Sequence, residues 1–457
     1  MNLNNIKIAY FIGIGGIGMS AIARYFKAIG IEIFGYDKTE NDFTKVLSSE
    51  GFKIHYYEDI SAIPKEIVEQ PESTVVIFTP AIPKDNTELV YLKNKGIKLH
   101  KRAEILGAIS RNSYTIAVAG THGKTTTSAM IAHILNECGV NFTAFLGGIS
   151  TNINSNYIHK IDGLEIFDLP ITVVEADEYD HSFLQLSPNI SIVTSADADH
   201  LDIYGEADEV KKSFQDFVNC TNSNGLAIVQ ESLDLKFKGK RILYGKANST
   251  EANYSNICIV NHQFVFDFKF NNIHQIVING IPGFHNIENS TAAIIACLQC
   301  NVPMQNIATA LNNFKGVKRR FEYVVNTDKY VVIDDYAHHP TELTACINSV
   351  KKLYPDKKLI GVFQPHLYSR TRDFVDDFAI ALDLLDECWL LDIYPAREQP
   401  IEGINSEYLA IKMNSKVRLM SKPNVLTNIE EEKPELLLIL GAGDIDQLIK
   451  PIRNLYA

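Results

Sequence analysis

Gly120-Thr-His-Gly-Lys-Thr-Thr-Thr127 follows an apolar run, Tyr114-Thr-Ile-Ala-Val-Ala119, and leads into a stretch from Thr125 to Glu137, where Met130, Ile131, Ile134 and Leu135 recur on one helical face. This order predicts a buried strand, a tight loop and a helix that stops at Gly139. In such a turn Gly120 and Gly123 let backbone N–H groups approach phosphate oxygens. Lys124 brings a point charge to the β- and γ-phosphates, and Thr125 offers a hydroxyl to Mg²⁺. Thr121, His122 and Thr126 complete the candidate ATP loop. The alternative is a Gly/Thr turn that only caps a helix, and strand, loop, Lys-Thr and helix together favour the phosphate cradle. The general pattern asks for glycine where this chain has Val118, so the loop is a subtype.

Toward the N-terminus a strand from Lys7 to Ile12 runs into Gly13-Ile-Gly15-Gly16-Ile17-Gly18, then a helix through Ala21, Ile22, Tyr25 and Phe26 that stops at Gly30. A second strand, Glu32 to Tyr36, ends in Asp37. Glycines at this spacing with an acid about 20 residues on suit a nucleotide diphosphate on the helix N-terminus and a ribose near Asp37. The signal fits a dinucleotide or a UDP-sugar equally, and a ligand-free turn stays open. Thr79 sits at the carboxyl end of a strand Thr74 to Phe78, and Arg102 follows a last short strand. The polar stretch Ser110 to Ser113 marks a boundary near residue 110.

Beyond the loop, a strand Ile171 to Val174 delivers Glu175-Ala-Asp-Glu-Tyr-Asp180 to the same sheet edge. Mg²⁺ takes hard oxygen ligands and keeps waters, so one hydroxyl, one carboxylate and phosphate oxygens suffice, and Glu175 is the chosen carboxylate. Asp177 and Asp180 are expected to be solvated or to cap the loop. A strand Ile190 to Thr194 ends in Ser195-Ala-Asp-Ala-Asp-His200, where His200 is a candidate for a second metal or a phosphate. Residues 225 to 278 hold several short strands, an expected β-rich addition to the same domain. His285, Asn286 and Asn289 then open an apolar helix, where their side chains could cap it or read an adenine edge.

Four further strands end in polar clusters. Tyr330 to Ile333 leads to Asp334-Asp-Tyr-Ala-His-His-Pro-Thr-Glu342, and Lys358 to Phe363 to Gln364-Pro-His-Leu-Tyr-Ser-Arg370. Cys388 to Leu391 leads to Asp392, and Glu435 to Leu440 to Gly441-Ala-Gly-Asp444. Doubly wound sheets bind ligands at that edge, so His338 and His339, beside Asp335 and Arg370, point to substrate contact.

With 457 residues the chain has length for about three domains, and 43 basic against 55 acidic residues give −12. That balance disfavours nucleic acid or an anionic membrane as partner. There is no apolar run of about 18 residues and no basic leader before the apolar start, which predicts a chain of the cytosol. The seven cysteines are scattered, and Cys297-x-x-Cys300 lies in an apolar helical stretch, so packing is favoured over metal or redox.

Gly-Ile-Gly-Gly-Ile-Gly-Met-Ser (13–20), the loop at 120–127, Val-Glu-Ala-Asp-Glu-Tyr-Asp (174–180) and Asp-Ala-Asp-His-Leu-Asp (197–202) stand in one order with four later motifs. These are His-Asn-x-x-Asn (285–289), Arg-Arg-Phe-Glu (319–322), the 334–342 cluster and Leu-Gly-Ala-Gly-Asp (440–444). The series resembles the Mur ligases, ATP-dependent enzymes that build the peptide of bacterial cell walls, over essentially the whole chain. The resemblance implies an α/β protein of three domains: a Rossmann-like UDP-sugar domain at 1–110, a central P-loop ATPase sheet with an added β portion at 111–320, and a Rossmann-like closing domain at 321–457. It implies ATP and Mg²⁺ as cofactors, UDP-N-acetylmuramate, L-alanine and ATP as small-molecule substrates, and a monomer or homodimer. Gly15, Gly16, Ile17, Gly18, Asp37, Thr79 and Arg102 fall to the UDP-sugar, and Thr125, Glu175 and His200 to the metal. His285, Asn286 and Asn289 fall to adenine, Arg320 and Asp335 to the closing face over ATP, and Tyr336, His339, His366 and Arg370 to the amino acid. Lys124, His200, His339 and Arg370 are the implied catalytic group. The family often has arginine where this chain has Leu367. A ligase of a whole murein tripeptide, or an NAD-binding oxidoreductase read from Gly13 to Asp37, are the alternatives.

Overall fold

The computed structural model describes residues 5–197, 207–396 and 398–456, with the side chains of Asp42, Ala207 and Asp208 left aside. The chain divides into two compact units. One comprises residues 1–254, 268–275 and 289–311, the other 255–267, 276–288 and 312–457.

The first unit opens with a parallel sheet of β1 (Ile8–Ile12), β2 (Glu32–Tyr36), β3 (Lys53–His55), β4 (Thr74–Phe78) and β5 (Leu99–Lys101) in the order β3-β2-β1-β4-β5. Strand β1 is apolar on both faces because it lies between β2 and β4 with layers on each side, and Ala9 to Ile12 are fully buried. The strand order reverses beside β1. A crevice therefore opens past the carboxyl ends of β1 and β4, where Gly13 to Gly18 and Thr79 lie.

A second sheet in this unit holds β6 (Tyr114–Ala119), β7 (Phe142–Ser150), β8 (Ser155–Lys160), β9 (Ile171–Glu175), β10 (Ile190–Val193), β11 (Leu226–Gln230) and β12 (Lys240–Gly245), in the order β12-β11-β10-β6-β9-β7-β8. Strand β6 pairs in parallel with β9 on one side and β10 on the other. The sheet continues through β13 (Ala252–Val260), β14 (Gln263–Phe270) and β15 (Ile273–Ile278), whose residues are divided between the units. The β-rich stretch is thus a continuation of the β6 sheet. Asn156 of β8, fully buried, donates to the Ile17 carbonyl and to Ser20 Oγ, which fastens this edge to the helix Ile17–Ala28.

The second unit is built on β16 (Glu322–Asn326), β17 (Val331–Asp335), β18 (Leu359–Phe363), β19 (Glu387–Leu390), β20 (Lys416–Leu419) and β21 (Leu436–Leu440), in the order β16-β17-β21-β18-β19-β20. Only β16 is antiparallel among these pairs. Leu436 to Leu440 are all fully buried, as a central parallel strand requires. Cys297 and Cys300, which belong to the first unit, are buried free thiols, and burial raises both above the usual cysteine range.

Candidate active site

The loop after β6 is shaped by close backbone approach. A Cβ at Gly120 (φ +144) would lie 2.1 Å from Thr194 Oγ1, and one at Gly123 (φ +82) would lie 2.4 Å from Asn289 Oδ1. Both positions therefore need glycine. Gly123 precedes the helix Lys124–Glu137, whose residues Thr125 to Leu135 are buried, so its N-terminus is held firmly behind the loop. The strand end after β10 buttresses the other side. Thr194 Oγ1 donates to the Ala119 and His122 carbonyls, the His122 N–H donates to Ser195 Oγ at 2.7 Å, and Thr121 Oγ1 donates to the Asp197 carbonyl at 3.1 Å. His122 Nε2 stands 3.2 Å from Asp197 Oδ2.

Because β9 lies beside β6 with Val118 opposite Glu175, the acidic loop 175–180 meets the phosphate loop, as its sequence predicts. Lys124 Nζ donates to the Gly120 and Thr121 carbonyls and to the Glu178 carboxylate at 2.9 Å. Burial pulls the ammonium down, but Glu178, Glu175 and Asp177 outweigh it and hold Lys124 above the usual lysine range. Lys124 and Arg102 offset two of these three carboxylates, so one negative charge is left over. The Thr125 hydroxyl at the helix start and the Glu175 carboxylate offer one hydroxyl and one carboxylate to a hard cation that would complete its shell with phosphate oxygens and water.

Glu175 itself accepts from the Gly147 N–H at 3.0 Å, and a Cβ at Gly147 would fall 2.2 Å from one carboxylate oxygen and 2.3 Å from the other. Since the carboxylate ends a flexible side chain, Gly147→Ala is expected to turn it aside and leave the fold intact. The expected result is a loss of turnover of about 100-fold with little change in melting temperature. Steady-state rates across a Mg²⁺ titration check it, and wild-type turnover would take Glu175 out of the site.

Asp177 caps the loop, as expected, by accepting from the Tyr179 N–H at 3.1 Å, and neither it nor Asp180 is simply solvated. Asp177 pairs with Arg102 at 2.8 Å and Asp180 with Lys101 at 2.8 Å. Arg102 also lies against Gly18, where a Cβ would be 2.4 Å from its Nη1. Asp37 accepts from the Gly15 N–H at 2.7 Å and from the Thr39 N–H at 3.1 Å, so its carboxylate fastens the glycine loop. Gly15, Gly16, Ile17, Gly18, Asp37, Thr79 and Arg102 thus line one sheet edge, with Arg102 reaching the acidic loop. His200, with Asp199 and Asp202, lies outside the described residues.

In the second unit, Asn286 Nδ2 donates to the Pro282 carbonyl and Gly283 backs onto the His285 ring, consistent with a start to the helix Phe284–Gln299. Asp335 accepts from the Phe321 and Ala337 N–H groups at 2.8 Å each, which ties the turn bearing Arg320 to β17. Arg319 and Arg320 each stack on Tyr336, 4.9 and 5.0 Å from the ring centre. Tyr336, His338, His366 and Tyr394 follow one another in ring contact, and Arg370 is buried on the short helix after His366. His339, expected from the sequence to meet substrate, is also the N-cap of the helix Pro340–Leu353, its Nδ1 accepting from the Thr341 N–H at 3.4 Å. Leu367 adopts φ +73, a conformation that strains any side chain with a Cβ, and its N–H donates to the Tyr394 carbonyl.

Three stretches match Mur ligase families: residues 8–114 the Mur ligase family catalytic domain, 118–297 the Mur ligase middle domain, and 319–444 the Mur ligase glutamate ligase domain. The chain is 46% identical over 456 residues to the UDP-N-acetylmuramate–L-alanine ligase of Christiangramia forsetii, covering 99% of this chain and 98% of that one. It is also 46% identical to the enzyme of the same name from Flavobacterium psychrophilum, covering 99% of each. Among solved structures, the UDP-N-acetylmuramate–alanine ligase of Thermotoga maritima superposes with a TM-score of 0.81 at 27% identity, over 99% of both chains. A murein peptide ligase from Psychrobacter arcticus shares the fold with a TM-score of 0.69 at 23% identity, over 98% of this chain and 99% of that one.

Proposed function

The chain belongs to the Mur ligase family, and from that premise we propose that it joins L-alanine to the carboxylate of UDP-N-acetylmuramate with ATP, in the synthesis of peptidoglycan precursors. The observation that carries this reading is the 46% identity across 99% of the chain to an L-alanine ligase, since a shared phosphate loop alone would not extend from end to end. The family leaves the NAD reading of Gly13 to Asp37 without support. We divide the chain into a UDP-sugar domain at 1–110, an ATP domain at 111–320 and a closing domain at 321–457. Among the described residues no helix is long and apolar enough to cross a membrane. We place the enzyme in the cytoplasm, where ATP and UDP-sugars are at hand.

A carboxylate is a poor acyl donor, so the muramyl carboxylate first takes the γ-phosphoryl group of ATP. Two anions must meet, and Lys124 with the N–H groups of the 120–127 loop offsets their repulsion and the charge of the transition state. Mg²⁺, held by Thr125 and Glu175 with His200 as a further ligand, would supply charge neutralisation at the β- and γ-oxygens. The glycine loop at 15–18 and Arg102 hold the UDP diphosphate, with Asp37 fixing the loop. Asn289, packed on Gly123, with His285 and Asn286 earlier on its helix, serves the adenine side, and Arg320 and Asp335 the closing face. Tyr336, His339, His366 and Arg370 receive the amino acid. The amine of L-alanine attacks the acyl phosphate in its neutral form, phosphate leaves, and a histidine such as His339 takes the proton. Water would hydrolyse the acyl phosphate, so the chemistry needs a closed site.

The test is phosphate release from ATP and Mg²⁺ with UDP-N-acetylmuramate, comparing L-alanine with a murein tripeptide as acceptor. Release with a new amide is expected with alanine. Release only with the tripeptide would make this a murein peptide ligase instead.

A further inference from the structure

We propose that Glu178 is a placeholder counter-ion for Lys124: in the free protein its carboxylate occupies the position at the ammonium that a nucleotide phosphate takes on binding. The inference rests on the reading of residues 120–127 as the ATP loop. A lysine ammonium has three donors, and here they meet the Gly120 carbonyl, the Thr121 carbonyl at 3.3 Å and Glu178 at 2.9 Å. Nothing is left over for a phosphate oxygen. Two of those partners belong to the loop itself and move only with it. Glu178 is the partner that comes from another segment, and so the one a ligand can replace.

The surroundings make a placeholder necessary. The Lys124 side chain is 14% exposed and that of Glu178 5%, so the pair is withdrawn from water. A buried ammonium without an anion would be costly in the empty site, and removing one member of such a pair strands the other. The reverse holds once a triphosphate arrives, because its oxygens would then face the carboxylates of Glu175 and Glu178 together. Glu175 has a place of its own over Gly147. Glu178 is the carboxylate that meets the Lys124 ammonium itself, and it is this contact that must yield. The backbone around it is pinned on both sides, by Asp177 to Arg102 and by Asp180 to Lys101, so that the exchange needs only a turn of the side chain. Glu178 is on this view a positioning residue: it keeps Lys124 aimed into the loop before ATP is present and sets what nucleotide must displace.

The experiment measures ADP binding in the presence of Mg²⁺ by calorimetry, with melting curves with and without ADP, on the full chain and its Glu178→Gln, Glu178→Asp and Lys124→Ala variants. Glu178→Gln is expected to melt lower than wild type without ligand, to bind ADP about tenfold more tightly, and to show a larger ADP-induced rise in melting temperature. Its KM for ATP should fall in step. Glu178→Asp, which keeps the charge, should stay near wild type on each measure. A merely structural glutamate would lower the melting temperature without tightening ADP. Equal or weaker ADP binding by Glu178→Gln, with Lys124→Ala losing ADP, would overturn the placeholder alone. Wild-type ADP binding by Lys124→Ala would overturn the ATP loop itself.

Discussion

Lys124→Ala is expected to lower turnover by about 10³-fold or more while UDP-N-acetylmuramate binds within about twofold of wild type. The size follows from what the ammonium faces. Phosphoryl transfer to a carboxylate brings two anions together, and Lys124 is the cation that the loop's own carbonyls aim into that space. Alanine removes the charge and leaves Glu178, Glu175 and Asp177 to confront the triphosphate without it. The UDP-sugar is spared because its proposed cradle is built from Gly15 to Gly18, Asp37 and Arg102, at the edge of a different sheet. Initial rates with saturating ATP, paired with calorimetry for the UDP-sugar, separate the two effects. Unchanged turnover would remove Lys124 from the chemistry, and loss of both activities would mean that the variant disturbs more than one site.

The elements legible in the sequence were those whose signal is local. Strands β1, β2, β4 and β6 are short apolar runs closed by glycine or a polar turn, and each was placed to within a residue. Strands β7 and β8 went unread, because Gly147 and Gly148 interrupt the apolar pattern of the first and the second is a polar edge strand, Ser155-Asn-Tyr-Ile-His-Lys160. With them went the seat of Glu175, which depends on Gly147, 28 residues earlier in the chain. The motifs place Glu175 and the phosphate loop on neighbouring strands, and Asp177 caps its own loop as expected, but the charged partners of Asp177, Glu178 and Asp180 are not legible in them. Those partners, Arg102, Lys124 and Lys101, lie 54 to 79 residues away, and no spacing rule reaches that far. The same limit hid Asp334, which a strand alternation pattern places on the opposite face from Asp335 but cannot bury beside Arg319.

That buried pair of aspartates predicts an unusual dependence of stability on pH in the second unit. Asp334 is 1% exposed at the end of β17, and its carboxyl is pushed up to about 7. Burial is the main cause, opposed by Arg319 and reinforced by Glu322, Asp335 and Asp446. Asp335 is pushed up to about 6, again mainly by burial, against Arg320 and two backbone N–H groups. A carboxyl whose folded value lies above its unfolded one favours the folded state while protonated. Its ionisation weakens the fold as pH rises from about 4 toward 7. Asp334→Asn removes that ionisation, and Arg319 keeps the carbonyls of Gly441 and Gly443. The variant is expected to match wild type near pH 4.5 and to be more stable at pH 8, by up to about 4 kcal/mol. Glu387 supplies the opposite sign in the same sheet. Fully buried on β19, it would be raised by burial, but hydrogen bonds from Lys358, Trp389 and Lys416 bring it down to about 2. Its contribution is therefore present above about pH 4.5 and is lost as pH falls toward 2. Since Lys358 and Lys416 are more than half exposed, solvent screening reduces its worth, and Glu387→Gln is expected to cost about 2 kcal/mol at pH 7. Melting curves of both variants from pH 3 to 8 should diverge from wild type in opposite directions. An Asp334→Asn variant destabilised more at pH 8 than at pH 4.5 would show that the carboxylate form is the one that the fold prefers.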